Sequence, residues 1–392
     1  MIYVGIDVAK DKHDCCILGP DGEVLRDSIT FANNRKGFEE LLAAIQKALQ
    51  EKSRDEVRAG LESTGHYSTN LVAFLRSNGF EPVVLNPLSV NRFRKSQTLR
   101  KTKTDKADAR FIAAMLLTSA ASPHASVSYH IEELKVFTRS RSRLIEHRGK
   151  LRISMTRLLD VVFPELATLV WSTNQKSVYH LLLELPNPQA IAHCRIDRLT
   201  NIISAGSHGK YGREKALEIR QAAAESIGSN SPAMAFELQQ TIRLIQNITI
   251  ELDLLDNRIE AAVEAVKTPL LTIPGISYTL AGIILAEIGA IERFQTPAQL
   301  LAFAGMEPST FQSGKFRANQ TPMVKRGSTY LRWAVLQAAR LVAMRDKTFY
   351  DYLLKKRQEG KHFNVALSHV GKKLVRVIFH MLQTNRSFVP QS

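Results

Sequence analysis

Ile2-Tyr3-Val4-Gly5-Ile6-Asp7 opens the chain, and Val57-Arg58-Ala59-Gly60-Leu61-Glu62 follows it as a second run of the same kind. Each is a short, largely apolar stretch that closes on a carboxylate, the pattern of a buried strand. Carboxyl ends of strands converge along one edge of an open α/β sheet, so Asp7 and Glu62 are expected to meet there. A third stretch, Lys103-Thr104-Asp105-Lys106-Ala107-Asp108-Ala109, carries two more acids three residues apart. That spacing puts both on one face of a helix. Taken singly, an Asp at a strand end is more often a turn or cap residue than a ligand. The four together are more specific, because like charges are costly to gather unless a cation neutralises them. Hard oxygen donors suit Mg²⁺ or Mn²⁺ rather than zinc, and two such ions can clamp the attacking and leaving oxygens of a phosphodiester.

Working outward, residues 1–125 read as an α/β domain. Strands are predicted at Tyr3–Val8, His13–Leu18 and near Val24–Phe31, the last two joined by the turn Gly19-Pro20-Asp21-Gly22. A helical stripe follows over Arg35–Gln50, then a strand at Val57–Leu61, a helix at Tyr67–Arg76, a strand at Pro82–Leu85 and a helix at Asp105–Leu117. Three strands, then helices alternating with strands, is the order expected of a ribonuclease-H-like domain.

Residues 126–267 change to long helices. One apolar seam runs through Leu134, Phe137, Leu144, Leu151, Met155, Leu158 and Val162, with Arg141 and Arg148 on it. A second runs through Leu238, Ile245, Ile248, Leu252, Leu255, Ile259 and Val266. Both step by threes and fours as a coiled coil does, and they are expected either to form an antiparallel hairpin or to pair across protomers. Between them lies a smaller helical insert. Residues 268–392 form a third, helical module. In it Leu271-Thr272-Ile273-Pro274-Gly275-Ile276 before Leu280–Ile288 resembles a helix-hairpin-helix, whose turn can offer backbone N–H groups to a phosphate. Gly305–Gly327 reads as an irregular polar stretch.

The charge is the other decisive feature. There are 53 Lys and Arg against 37 Asp and Glu, a formal net charge of +16 over 392 residues. Such an excess favours a polyanion partner through steering and counterion release. The candidate contacts are Arg92, Arg94, Lys95, Arg100, Lys101 and Lys103, which precede the Asp pair, and Arg139, Arg143, Arg148 and Arg152 on the first long helix. Lys355, Lys356, Arg357, Lys361, Lys372, Lys373 and Arg376 extend the basic surface toward the C-terminus. Cys15, Cys16 and Cys194 have neither zinc nor disulfide spacing, so they are expected as buried, inert thiols in a reducing compartment. The N-terminus runs directly into a strand without a leader pattern, and no apolar run is long enough for a bilayer, which predicts an intracellular protein without a membrane partner.

Tyr3-Val4-Gly5-Ile6-Asp7-Val8-Ala9-Lys10, Leu61-Glu62-Ser63-Thr64-Gly65 and Lys103–Ala109 resemble the DEDD transposases of insertion sequences, the IS110 family that includes the Piv DNA invertases. Ile273-Pro274-Gly275-Ile276, Phe303-Ala304-Gly305-Met306-Glu307-Pro308, Gln312-Ser313-Gly314 and Lys325-Arg326-Gly327-Ser328-Thr329-Tyr330-Leu331-Arg332 are similar to that family's second domain. One mild departure is Lys-Arg-Gly-Ser at 325–328, where many relatives have Gly-Asn. The resemblance implies a RuvC-like catalytic fold with Asp7, Glu62, Asp105 and Asp108 as the acidic, Mg²⁺- or Mn²⁺-binding quartet. It implies a serine nucleophile at Ser313, with Ser309 and Thr310 as rivals, in a C-terminal transposase domain. It further implies donor and target DNA as substrates, a structured guide RNA from the element's non-coding end, and homodimers joining into a homotetramer. The setting implied is the bacterial cytoplasm, with action at the nucleoid. The rival expectations are a Piv-like invertase or RuvC-like junction-resolving nuclease working without RNA, and a non-catalytic nucleic-acid-binding protein that keeps the fold.

Overall fold

A computed structural model describes residues 1–49, 53, 56–62, 66–85, 87–97, 104–118, 129–309, 312–313, 316–317 and 322–390. The chain divides into two compact units, Met1–Val127 and Ser128–Ser392.

The first unit is built on a five-stranded mixed sheet of β1 (Ile2–Val8), β2 (Lys12–Leu18), β3 (Val24–Ala32), β4 (Val57–Glu62) and β5 (Val83–Leu85), in the order β3-β2-β1-β4-β5. β2 is antiparallel to both β1 and β3, whereas β1, β4 and β5 are parallel. The parallel pairs follow from the helical crossovers α1 (Arg35–Leu49) and α2 (Ser68–Ser77). Strand alternation sorts the side chains onto two faces. Ile2, Val4, Ile6 and Val8 enter a core with Phe38, Leu41, Leu71 and Leu75 of α1 and α2. Tyr3, Gly5 and Asp7 point to the other face, which is covered by α4 (Asp105–Thr118). Cys15 and Cys16 fall on opposite faces, both buried and unpaired, and burial raises the pKa of each thiol.

A short helix, α3 (Pro87–Gln97), precedes α4 and takes in the first part of the basic run. Arg100, Lys101 and Lys103 lie outside the described residues.

The second unit is mostly helical. α5 (Tyr129–Val162) and α11 (Pro232–Val266) run antiparallel within one chain. Arg141 meets Asp256, Arg148 meets Thr249 and Arg157 meets Glu237, so one number falls as the other rises. Of the two arrangements expected for the seams, the intrachain hairpin is the one present. Leu134, Met155, Leu158 and Val162 are buried on one helix, and Leu238, Ile245, Leu252 and Ile259 on the other. Between them α6 (Leu166–Leu169), α7 (Lys176–Glu184), α8 (Pro188–Ala192), α9 (Ile196–Ser207) and α10 (Arg213–Ala224) form a compact insert. Its core joins Leu182, Leu199 and Ile219 to the adjoining ends of the long pair.

α12 (Tyr278–Ile288) packs on both α5 and α11, and every residue from Leu280 to Ile288 is buried. The expected boundary at 267/268 therefore lies inside this unit. The expected helix-hairpin-helix is present only in part. Its first arm is a single 3-10 turn, Pro269–Thr272, and its Pro-Gly turn is packed down on the chain's own helices. Gly275 has φ +96°, and a Cβ there would sit 2.9 Å from Leu341 Cβ. The start of α12 is capped by its own Ser277, whose Oγ accepts from Leu280 N at 3.3 Å.

Beyond it come α13 (Pro297–Phe303), the short strands β6 (Gln312–Ser313) and β7 (Phe316–Arg317), α14 (Thr329–Ala343), α15 (Lys347–Gln358) and α16 (Phe363–Thr384). Within the stretch expected to be irregular, the described residues pair antiparallel. Lys325 N donates to Gly305 O, Val324 N to Glu307 O and Ser309 N to Pro322 O. Pro308 bridges Met323, and farther along Gln312 pairs with Arg317 and Ser313 with Phe316. Among the described residues, no helix is long and apolar enough to cross a membrane.

Candidate active site

The acidic site is assembled by two glycines. Gly5 of β1 and Gly60 of β4 are register partners, and both face α4. A Cβ at Gly5 would lie 2.3 Å from both Ala109 O and Ala113 N. At Gly60 it would meet the Leu116 side chain at 2.8 Å. The missing side chains let α4 lie almost on the strand backbones. Its first turn then reaches the carboxyl ends of β1 and β4, where Asp7 and Glu62 stand two residues beyond the glycines on the same face. Thr104 starts the helix, its Oγ1 accepting from Ala107 N at 3.3 Å and its carbonyl from Asp108 N at 2.9 Å. Acids in that first turn also complement the helix dipole.

Asp108, Asp105 and Glu62 are thereby brought into electrostatic reach of Asp7. The Asp7 carboxyl is raised from its ordinary 3.8 to about 6, first by burial and then by Asp108, Asp105 and Glu62. A fifth acid adds to this. Asp14 of β2 stands directly across from Asp7 in the hairpin register, is almost wholly buried, and accepts a hydrogen bond from Thr30 Oγ1. Asp14 was not among the expected site residues, although the β1–β2 hairpin implies its position. Val8 opposite His13 places residue 14 beside residue 7.

Arg94 brings a positive charge into this cluster. Arg94 of α3 donates from Nη1 to Asp108 Oδ1 at 3.2 Å and from Nη2 to Asn91 Oδ1 at 3.1 Å. Arg92 and Lys95 are exposed on the same helix. Among the described residues, no three His, Cys, Asp or Glu side chains stand close enough together to hold a metal ion. The donor chemistry nonetheless fits a hard divalent ion. Asp7, Glu62, Asp105 and Asp108 supply only carboxylate oxygens, and the half-buried Asp7 is charged only at a cost that a cation would remove. A cavity of about 640 Å³ lined by Asn33, Arg35, Phe38 and Phe74 lies among α1 and α2, on the opposite face of the sheet, and has no part in this chemistry.

In the second unit, Ser313 is paired with Phe316 in the β6–β7 hairpin. Gly314 and Thr310 lie outside the described residues, and Ser309 is held at the base by its backbone bond to Pro322. The root of this extension is tied to a buried acid. Glu287 of α12 is 4% exposed and accepts from Arg139 Nε at 2.8 Å, Arg139 Nη2 at 3.1 Å and Ser328 Oγ at 2.7 Å. Arg332 closes the root by donating to the Ala304 and Lys325 carbonyls, each at 3.2 Å. Gly305 and Gly327, with φ +65° and +130°, make the close backbone approach there.

This network bears on Arg139, one of the expected nucleic-acid contacts. Its guanidinium is engaged with Glu287 and lies 5.2 Å from the Tyr330 ring centre. Arg148 likewise turns inward, to Thr249 at 3.2 Å, and Arg152 turns toward Tyr179. Arg143 is exposed. An arginine helix with few acids of its own reads as a solvent-facing charge run. The partners of Arg139 and Arg148 are more than 100 residues away and invisible locally.

Comparison with known proteins bears on both units. The DEDD transposase family of IS110 type matches residues 4–164, and the family described as Transposase IS116/IS110/IS902 matches residues 267–354. The IS116 insertion-element 44.8 kDa protein of Streptomyces clavuligerus is 27% identical, over 99% of this chain and 96% of its own length. The pilin gene-inverting protein of Moraxella bovis is 23% identical, over 98% of this chain and 97% of its own. The IS110 insertion-element 43.6 kDa protein of Streptomyces coelicolor is 30% identical over a shorter stretch, 33% of this chain and 32% of its own. With matches to the same family in both units and relatives aligned almost end to end, the chain carries the transposase domains of the IS110/IS116/IS902 family.

Proposed function

We propose that the protein cuts and rejoins the DNA of a mobile insertion sequence through a divalent-metal-assisted serine nucleophile, directed by an RNA that the element encodes. The observation that supports the reading is that Asp108, Asp105 and Glu62 all act on the half-buried Asp7, where Gly5 and Gly60 let α4 lie against β1 and β4. The sheet order and its crossovers support a RuvC-like, ribonuclease-H-like domain.

Bound Mg²⁺ or Mn²⁺ would neutralise the carboxylates and polarise the scissile phosphate. Asp7, Glu62, Asp105 and Asp108 would hold it. Arg94 is placed to exchange Asp108 for a phosphate oxygen once that carboxylate is engaged, and Arg92 and Lys95 extend the positive charge along α3. Ser313 supplies the nucleophile. Its Oγ–P bond forms as the P–O bond to one strand end breaks. The serine proton is lost, and the departing oxygen gains one. The phosphoserine keeps the strand in an ester, so that attack by the hydroxyl of another strand releases Ser313 and joins the DNA. A hydrolytic nuclease retains no such link. The second unit's positive charge suits an RNA load, which would supply sequence recognition by base pairing while the protein reads shape. Dimers assembling into tetramers complete the proposal. In them the surfaces between copies lie elsewhere than the α5–α11 seam, which is filled within one chain.

The likeness to a pilin gene-inverting protein favours one second reading, site-specific inversion by the same chemistry without a guide.

The test is a trapping assay with Mg²⁺, labelled donor and target DNA, and RNA transcribed from the element's end, analysed on a denaturing protein gel. A labelled adduct in the wild type that disappears in Ser313→Ala is expected. An adduct that survives Ser313→Ala moves the nucleophile, with Ser309 next. Cleaved DNA with no adduct at all overturns the serine mechanism in favour of a RuvC-like resolving nuclease. An RNA-independent adduct would favour the inversion reading.

A further inference from the structure

The last two helices carry an unbalanced charge. From Lys347 to Ser392 there are nine Lys and Arg and only two acids, Asp351 and Glu359. α15 and α16 pack together, and their contacts show which of these charges are already matched. Lys356 holds both oxygens of Glu359, at 2.7 and 2.9 Å. The Tyr352 ring is approached by Lys356 Nζ at 5.6 Å and Lys373 Nζ at 5.1 Å, and Lys373 also lies 5.4 Å from the Phe349 ring. Those two lysines are thus fixed in place by aromatic faces. Lys361, Lys372 and Arg376 have no ion pair among the described residues.

These remaining charges are gathered. On α16, Val365, His369, Lys372 and Arg376 recur at spacings of four, three and four, which defines one stripe of the helix. His369 is pushed below its ordinary pKa, first by burial and then by Lys372, Lys356 and Lys361, with Glu359 opposing. Lys372 is lowered by burial and by Arg376. A solvated basic face normally intersperses acids, because unrelieved repulsion between neighbours destabilises the folded state. Here Glu359 is the one acid drawn in, and it is already bound to Lys356.

We propose that the α15–α16 face is a binding site for the phosphate backbone of a nucleic acid, with Lys361, Lys372 and Arg376 as its phosphate contacts and the Tyr352 platform holding Lys356 and Lys373 beside them. The inference rests on the reading that this chain handles nucleic acid, but it is independent of the nucleophile and of the quartet. The site reads no sequence. It anchors the second unit on duplex or hairpin through charge alone.

The test uses the full-length protein with two probes, a mixed-sequence DNA duplex and a hairpin RNA, each titrated across a range of KCl concentrations. The triple variant Lys361→Gln/Lys372→Gln/Arg376→Gln is expected to reduce the slope of log K against log [KCl] by about 2 to 3 for at least one probe, since each lost phosphate contact removes about 0.9 on a duplex. A reduction with DNA alone assigns the face to DNA, and with RNA alone to RNA. The matched variant Lys210→Gln/Arg213→Gln/Lys215→Gln removes the same charge from the helical insert and is expected to leave both slopes in place. Unchanged slopes in the first triple variant, or an equal fall in the second, would overturn the proposal. A circular-dichroism melt that matches the wild type keeps the comparison on folded protein. Strand cleavage failing in Asp105→Asn while these slopes hold would separate the two readings.

Discussion

The backbone-to-backbone packing of β1 on α4 predicts a damaging small substitution, Gly5→Ala. The added Cβ would stand 2.3 Å from a carbonyl oxygen and an amide nitrogen of α4. Ordinary contacts settle near roughly 3.5 Å, so the helix must retreat by about 1 Å. Both opposing atoms are backbone, and no rotamer change relieves them. Overpacking of this kind costs about 1–3 kcal/mol. Removing glycine's extra freedom in the unfolded chain offsets about 0.5–1 kcal/mol. The net loss of about 1–2 kcal/mol lowers the melting temperature by about 4–8 °C or more for a unit of this size. The larger effect is on chemistry, because the retreat carries Asp105 and Asp108 away from Asp7 and Glu62. A 1 Å misplacement of reacting groups costs about 100-fold in rate. Differential scanning fluorimetry, calorimetric Mn²⁺ titration and strand cleavage would be measured side by side. Gly60→Ala is the internal control, since its Cβ meets only the movable Leu116 side chain, and it should cost about 1 kcal/mol or less. If Gly5→Ala melts, binds Mn²⁺ and cleaves like the wild type, the glycine trough does not position the quartet.

Asp105→Asn and Asp108→Asn should each abolish cleavage and leave nucleic-acid binding nearly intact by gel shift; retained cleavage in either would remove that residue from the metal site. The titration of Asp7 has a definite sign. Its folded value of about 6 lies above the ordinary 3.8, so the folded state holds the extra proton, and stability declines as pH rises from about 4 to about 6. In EDTA the wild type should lose about 1–2 kcal/mol over that window, after allowance for partial exposure, while Asp7→Asn shows a flatter melting profile; parallel profiles would refute the cause. Glu287→Ala strands Arg139 and frees Ser328, and should cost about 2–4 kcal/mol by chemical denaturation, so that a change within error would count against the buried lock. Arg139→Ala should lower stability without changing the salt dependence of DNA binding, whereas Arg143→Ala should leave the melt unchanged; the reverse pattern would restore Arg139 to the phosphate-tracking face.

What could be read from the sequence followed from periodicity. Each strand of the sheet stood out as an apolar or alternating run, and its observed limits differ by a residue or two. α4 was legible because Asp105 and Asp108 precede a clear apolar stripe. The long helices declared themselves by their seams, although a heptad does not say whether its partner is in the same chain. The pairing of residues 305–309 with 322–325 was illegible because it is carried by backbone bonds between short segments with no alternation to betray them. The pairing of Arg139 was illegible because the acid that answers it is Glu287, far along the chain. Glu287 did leave a signal, as the one charged residue in the otherwise apolar run Leu280–Ile288. Asp14 was overlooked because an acid in the middle of a strand suggests nothing until the strand's register is drawn.

The α5–α11 pair also acts as a ruler. At 1.5 Å per residue, its 34- and 35-residue helices extend for about 50 Å. The insert of α6–α10 is fixed at one end of this strut and α12 at the other. A turn of B-form duplex advances about 34 Å, so a straight duplex lying along the strut would pass through about one and a half turns between the two ends. Its two ends would therefore address nearly opposite sides of the double helix. Adding or removing one heptad in both helices together would change that interval by about 10 Å, which makes the distance between the insert and α12 a property of helix length alone.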